Sequence, residues 1–365
     1  MQRPEVLIVG GGPAGIGVAV ALLQVGVRPL VLEARRVGAS FLRWPRETRL
    51  LTPSFTANGF GLADLNAIAP RTSPAYTLGE EHPSGRAYAR YLQAVAAHFT
   101  VPVLRARAKR VVYREGLFRV DTGRGTLEAP FLVWAVGEFS FPRYPFPGAF
   151  LALPYTRVGS FARLAREAPE RVVIGGYESG VDAALHLAER GVRVLVLDPE
   201  APWERRTGEP SRDLSPHTLD RLRRAPRGRI RFRRTKVLAL QLKGEGYALL
   251  TEGGEVRTPH RPLLATGFGD GLEPLGGLLA RGPEGHPLLT LEDESTLAPG
   301  LFLAGPKVRH GGSPFCFIYK FRARFPIVAR AIARRLGRDE GPLEVYREEG
   351  MWLEDPTCCE VQCAC

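Results

Sequence analysis

Two stretches of this chain share one pattern: an apolar run, a glycine loop, then a helix-forming run. The first is Val6-Leu7-Ile8-Val9-Gly10-Gly11-Gly12-Pro13-Ala14-Gly15, at the N-terminus. The second is Val172-Val173-Ile174-Gly175-Gly176-Tyr177-Glu178-Ser179-Gly180, about midway along. A short continuous apolar run predicts a buried parallel strand. In the first loop Gly10 permits the tight turn, and Gly12 lets the backbone approach a pyrophosphate. Gly15 lets the following helix pack close to the strand. That helix is expected to reach about Val25 and stop at Gly26, with its N-terminal amides and positive dipole end on the phosphates. A strand over 27–32 follows, closed by Glu33, and seventeen residues separate Gly15 from Glu33. A carboxylate there accepts hydrogen bonds from an adenosine ribose. One such unit holds one nucleotide, so two units imply two nucleotide cofactors and electron transfer between them.

The second unit has a helix from Val181 to about Arg190, a stop at Gly191 and a strand over 192–197. Asp198 stands eighteen residues after Gly180. Tyr177 departs from the pattern, because it occupies the place of the middle glycine. A side chain there is expected to crowd the pyrophosphate, so the nucleotide binds in a shifted pose, weakly, or not at all. Asp198 favours a free ribose 2′-hydroxyl and therefore NADH, whereas Arg205 and Arg206 are placed to grip a 2′-phosphate. The residues alone leave that choice open.

Two further apolar runs, Phe131 to Gly137 and Leu263 to Phe268, each end in Ala-x-Gly: Ala135 with Gly137, and Ala265 with Gly267. After the first come Pro142, Pro145, Pro147 and Gly148, a stiff linker. The expected fold is α/β, with two Rossmann-like three-layer nucleotide-binding domains. One is discontinuous, over 1–149 and 268–340, and the other is inserted at 150–267. A C-terminal segment over 341–365 reads as a tail. The run Pro299 to Pro306, with Gly305 near its end, is a strand returning to the first domain. A loop over 307–314 and a helix over about 315–336 follow, with Pro326 as a kink or a break.

At 365 residues, 44% hydrophobic and 24% charged, the chain can bury real cores, and its size fits two domains. No apolar run approaches the ~18 residues of a membrane span. The early first strand leaves no room for a signal peptide, so a cytoplasmic location is expected. The net charge of +12 comes from arginine, since only five lysines occur. The densest basic run, Arg221 to Arg234, is broken by Pro226 and Gly228 and lacks interleaved aromatics, so no nucleic-acid partner is expected. Anionic cofactors account for the charge more simply.

The order of fingerprint, Ala-x-Gly segment, second fingerprint, Ala-Thr-Gly segment and Gly-Leu-Phe-Leu-Ala-Gly return resembles the two-dinucleotide-domain flavoproteins, which include thioredoxin reductases and flavin-containing monooxygenases. The likeness spans residues 5 to about 336. Within that group the chain is most similar to bacillithiol-disulfide reductases, through Ser40-Phe41-Leu42-Arg43-Trp44-Pro45 with Thr48 and Ser54. Glu81-His82-Pro83-Ser84-Gly85-Arg86, leading into a helix with Tyr88 and Tyr91, extends the match. The resemblance implies FAD in the first domain, with Trp44 beside it, and NAD(P)H in the second. It implies hydride transfer from NAD(P)H to FAD, then reduction of a small low-molecular-weight disulfide. The alternatives are a flavin monooxygenase acting on a small nucleophile and a non-catalytic nucleotide sensor or metal carrier. A homodimer is a further expectation of the group.

There are departures from the group. Pro13-Ala14 stands where the bacillithiol-disulfide reductases carry a loop cysteine, and no cysteine occurs before residue 316. Pro306 replaces the aspartate that usually ends the return strand and binds the ribityl chain. The available thiols are Cys316 and, in the tail, Cys358, Cys359, Cys363 and Cys365. Cys316 reads either as a thiolate favoured by a helix N-terminus or as a small buried hydrophobe between Phe315 and Phe317. The tail resembles the mobile cysteine pairs of mercuric reductases and large thioredoxin reductases, which implies a dithiol relay. A soft metal ion or no role are the other readings, and the spacing fits no standard zinc pattern, so no metal ligands are assigned. His310, in the loop facing the flavin, is a candidate to position substrate or give a proton, and otherwise faces solvent or phosphate.

Overall fold

The computed structural model describes residues 3–55, 63–208, 211–310 and 313–356. Two parallel sheets, each of five strands and of one design, form its centre. The first runs Leu301–Leu303, Phe131–Trp134, Val6–Val9, Pro29–Glu33, Val103–Arg105. The second runs Leu153–Pro154, Leu263–Leu264, Glu170–Ile174, Arg193–Asp198, Ile230–Arg234. In both, the fingerprint strand is central, the acid-bearing strand lies on one side and the Ala-x-Gly strand on the other. Both faces of such a sheet are covered, which is why these strands read as unbroken apolar runs. The design extends to an antiparallel three-stranded meander in each unit: Arg110–Arg114, Leu117–Asp121 and Thr126–Ala129 in the first, and Val237–Lys243, Gly246–Thr251 and Gly254–Thr258 in the second.

The first fingerprint helix, Pro13–Gln24, opens on a proline, whose missing N–H costs nothing there. It ends at Val25 and Gly26, whose φ is +68°. It is buried on nearly every side because helix Phe325–Arg335 packs on its far face. Gly17 permits that contact, since a Cβ there would lie 2.1 Å from the Phe325 ring.

Three elements differ from the sequence expectation. The second fingerprint helix is Glu178–Ala188, so it begins directly after Tyr177 as the first begins after Gly12. The expected helix over about 315–336 is broken into Ile318–Phe321, a 3-10 turn Arg322–Arg324, and Phe325–Arg335 with Pro326 in its first turn. At the break, Arg322 turns inward to donate to the Asp64 and Ala67 carbonyls, and Arg324 bonds Asp293. Residues 341–356, read as tail, instead pack on the first core: Leu343, Tyr346 and Met351 are buried there. No helix among the described residues is long and apolar enough to cross a membrane.

Candidate nucleotide cleft

The two glycine loops are built by the same bonds. Gly10 N donates to Leu32 O at 2.9 Å, and Gly175 N to Leu197 O at 2.8 Å. The Ala-x-Gly segments pass directly beneath: a Cβ on Gly10 would lie 2.3 Å from Ala135 O, and one on Gly175 2.3 Å from Ala265 O. A Cβ on Gly15 would meet Gly10 O at 1.8 Å, and one on Gly180 would meet Gly175 O at 1.9 Å. The acids match as well. Glu33 accepts from Gly11 N at 2.8 Å and Arg35 N at 2.7 Å. Asp198 accepts from Gly176 N at 2.7 Å and Glu200 N at 2.8 Å.

Gly12 and Tyr177 are the helix N-caps, and their backbones coincide: φ −88°, ψ −170° for Gly12, and φ −86°, ψ −166° for Tyr177. A Cβ on Gly12 meets no protein atom within 4 Å, yet Gly12 lines the cleft. Packing does not demand a glycine there, whereas a ligand pressed against the backbone does. At Tyr177 the side chain is held aside. Its hydroxyl donates to Asp213 O at 3.0 Å, and its ring packs on the cluster of Val181, Leu185 and Leu214. Glu178 leans the same way, accepting from Ser215 N and Thr218 Oγ1. Burial, with a smaller push from Asp182, outweighs the bonds from Thr218 and Ser215 and raises its pKa. The crowding expected from Tyr177 is thereby reduced.

Four other helices are capped by the side chains of Ser73, Ser84, Ser160 and Ser215, and the remaining uncapped ones are either four or five residues long or continue a preceding turn. The two fingerprint helices have no side-chain cap. Their first-turn amides and positive ends are left for an anion, which is the arrangement a dinucleotide pyrophosphate requires. The residues present therefore fit two dinucleotides.

Both loops open on one cavity of about 1410 Å³. Gly10, Gly12, Pro13, Ala14, Glu33 and Trp44 line it on the first side, with Ala135 and Gly137. Gly175, Tyr177, Ser179, Asp198 and Gly267 line it on the second. Gly15 and Gly180 are buried behind their loops, and Gly305 backs the first loop, where its Cβ would lie 3.2 Å from that of Ala14. Arg205 and Arg206 do not line the cavity. Cys316 does, and it is exposed, so the reading of it as a buried hydrophobe is corrected. The helix after it has four residues, too short for a strong dipole. His310 is also corrected: it is buried away from the cleft, with Nε2 on Asp293 Oδ1. Cys358, Cys359, Cys363 and Cys365 lie outside the described residues.

The sequence reading missed the contact between the units. Asp182 is buried and accepts from Thr48 Oγ1 at 2.9 Å, Tyr155 OH at 2.8 Å and Arg221 Nη1 at 2.7 Å. Burial alone would push its carboxyl up; His186 and Arg221 overcome that and hold it below the ordinary carboxylate range. Next to Thr48, Glu47 accepts from Ser160 Oγ at 2.7 Å and from the amides of Phe161 and Ala162, each at 3.0 Å. The available signal was a lone acid in the apolar run Val181-Asp182-Ala183-Ala184-Leu185. His82 and His217 stack across the same interface, with ring centroids 3.9 Å apart. Burial, then His82 and Arg221, push His217 down to about 4. Its unfolded form takes up a proton near 6.5, which the folded form refuses until about pH 4. Stability should therefore fall with acidification between those values. Urea unfolding of His217→Gln should show a shallower loss across that window, and an unchanged slope would refute the assignment.

A molecule with two uncapped glycine-loop helices facing one cleft is a two-dinucleotide oxidoreductase in its architecture. The sequence pattern of the pyridine nucleotide-disulphide oxidoreductases matches residues 7–305, and the chain belongs to that family. It is 25% identical over 203 residues to a bacilliredoxin reductase of Bacillus subtilis, covering 54% of this chain and 57% of the relative. The chain matches about half the length of its curated relatives, among them a probable indole-3-pyruvate monooxygenase of Arabidopsis thaliana. The fold resembles that of the bacillithiol disulfide reductase from Staphylococcus aureus, with a TM-score of 0.72 and 21% identity over 92% of this chain and 99% of that one. A flavin-containing monooxygenase from Stenotrophomonas maltophilia gives a TM-score of 0.68 at 17% identity, over 92% of this chain and 100% of that one.

Proposed function

We propose that this protein is an FAD-dependent NAD(P)H oxidoreductase that reduces a small disulfide of the bacillithiol-disulfide kind. The observation that carries the reading is the pair of uncapped glycine-loop helices on one cleft, with the exposed Cys316 on its wall. The unit formed by 1–149 and 268–340 holds FAD, and the unit at 150–267 holds the nicotinamide nucleotide. When bound, these groups supply hydride donation and acceptance. The chain's own work is to bind and orient them. The amides of Gly12, Ala14 and Gly15 and of Glu178, Ser179 and Gly180 face the pyrophosphates, Glu33 and Asp198 face the riboses, and the Asp182 cluster holds the two units together. Cys316 and the four tail cysteines are the thiols available to engage an incoming disulfide.

Anaerobic addition of NADH or NADPH to the flavin-loaded protein should bleach the flavin absorbance. A low-molecular-weight disulfide such as bacillithiol disulfide should restore the colour. Cys316→Ser, or serine at all four tail cysteines, should lose the recovery but keep the bleaching. Recovery with oxygen alone would replace this reading with a monooxygenase, and an absence of bleaching would leave a nucleotide-binding protein without this activity.

A further inference from the structure

We infer that the second site selects NADH over NADPH, because Asp198 stands in the ribose pocket and the neighbouring arginines do not line it. The inference deepens the proposed function and rests on it.

Asp198 lines the cleft at the end of its strand, with each carboxylate oxygen held by a backbone amide, Gly176 N and Glu200 N. It is thus set as Glu33 is in the first unit, facing a ribose with a fixed negative charge. Glu200 also lines the cleft, with its carboxylate paired to Arg205. A 2′-phosphate would bring about two further negative charges against Asp198, whereas a 2′-hydroxyl donates a hydrogen bond to it.

A site for NADPH needs a cation to answer that phosphate. Arg205 spends its guanidinium on Glu200 Oε2 at 3.4 Å and Arg212 O at 3.3 Å. Arg206 donates to the carbonyls of Trp203 and Arg205. The loop closes on itself beyond them, with Thr207 N and Gly208 N both on the Asp213 carboxylate. The Trp203 ring stands against Gly176, where a Cβ would lie 2.4 Å from Cζ3, and it packs on Phe232. Arg234 pairs in register with Asp198, but its Nε goes to Pro199 O at 3.2 Å. Neither Arg205, Arg206 nor Arg234 lines the cleft. Lys236 does line it, and it is the cation whose role the titration must separate.

Calorimetric titration of the flavin-loaded protein with NADH and NADPH tests this, with AMP and adenosine 2′,5′-bisphosphate as fragments that differ only in the 2′-phosphate. NADH should bind tighter than NADPH by about tenfold or more, and AMP tighter than the bisphosphate. Asp198→Asn should move the ratio toward NADPH. Glu200→Gln, which leaves the backbone bonds to Asp198 intact, should move it less in the same direction. Lys236→Ala should weaken both nucleotides alike. Wild-type binding of NADPH as tight as NADH, or a loss confined to NADPH in Lys236→Ala, would overturn the inference and leave the oxidoreductase reading standing. Binding of neither nucleotide would overturn both.

Discussion

Alanine at Gly15 is expected to destabilise the protein by about 3 kcal/mol and to abolish flavin retention. Its Cβ would lie 1.8 Å from the Gly10 carbonyl oxygen and 3.0 Å from the carbonyl carbon. Both neighbours are backbone, so no rotamer change relieves the clash. The helix must instead lift from the strand, which opens the contact that buries Ile8, Ile16 and Ala19. Alanine at Gly12 is the control. Its Cβ meets no protein atom, so flavin-free stability should stay within about 0.5 kcal/mol of wild type, while flavin binding falls. Thermal unfolding of both flavin-free variants and flavin content after purification separate the two effects. A Gly15→Ala protein with the wild-type Tm would show that the close approach is not required, and an equal loss of Tm in Gly12→Ala would place Gly12 in packing.

Features set by local spacing were legible before the structure. Strand, turn and helix follow from residues within one fingerprint, and each acid falls at the same distance from its last glycine. What the sequence hid depends on partners far along the chain. Tyr177 reads as an obstruction because its anchor, Asp213, lies 36 residues away. It is tolerated because the N-cap backbone has negative φ, which any side chain can adopt. Arg205 and Arg206 stand near Asp198 in sequence, but their guanidinium groups are bound within their own loop. His310 reads as a loop histidine and is buried on Asp293, seventeen residues earlier. The docking of 46–48 onto the second unit has no periodicity to betray it, because it joins residues more than 100 positions apart.

That docking gives the second large effect. Asp182→Ala is expected to cost about 3 kcal/mol, since it takes from the Arg221 guanidinium its nearest carboxylate, leaving Glu189 at 3.9 Å, and from the Thr48 and Tyr155 hydroxyls their shared charged acceptor. Thr48→Val removes its bond to Asp182 and its bond to the Tyr155 hydroxyl but leaves the carboxylate paired with Tyr155 and Arg221, so it should cost about 1–2 kcal/mol. The pH dependence separates charge from packing. The Asp182 carboxyl is depressed in the folded state, so its contribution is present above the ordinary value of 3.8 and is lost as pH falls below it. The stability gap between wild type and Asp182→Asn should therefore be full at pH 7 and should shrink in acid. Urea unfolding of the flavin-free proteins at both pH values measures that gap. If it is pH-independent, the cluster acts through shape rather than through the charge pair with Arg221. If Asp182→Ala unfolds with wild type at pH 7, the two units are held by the Glu47 contacts instead.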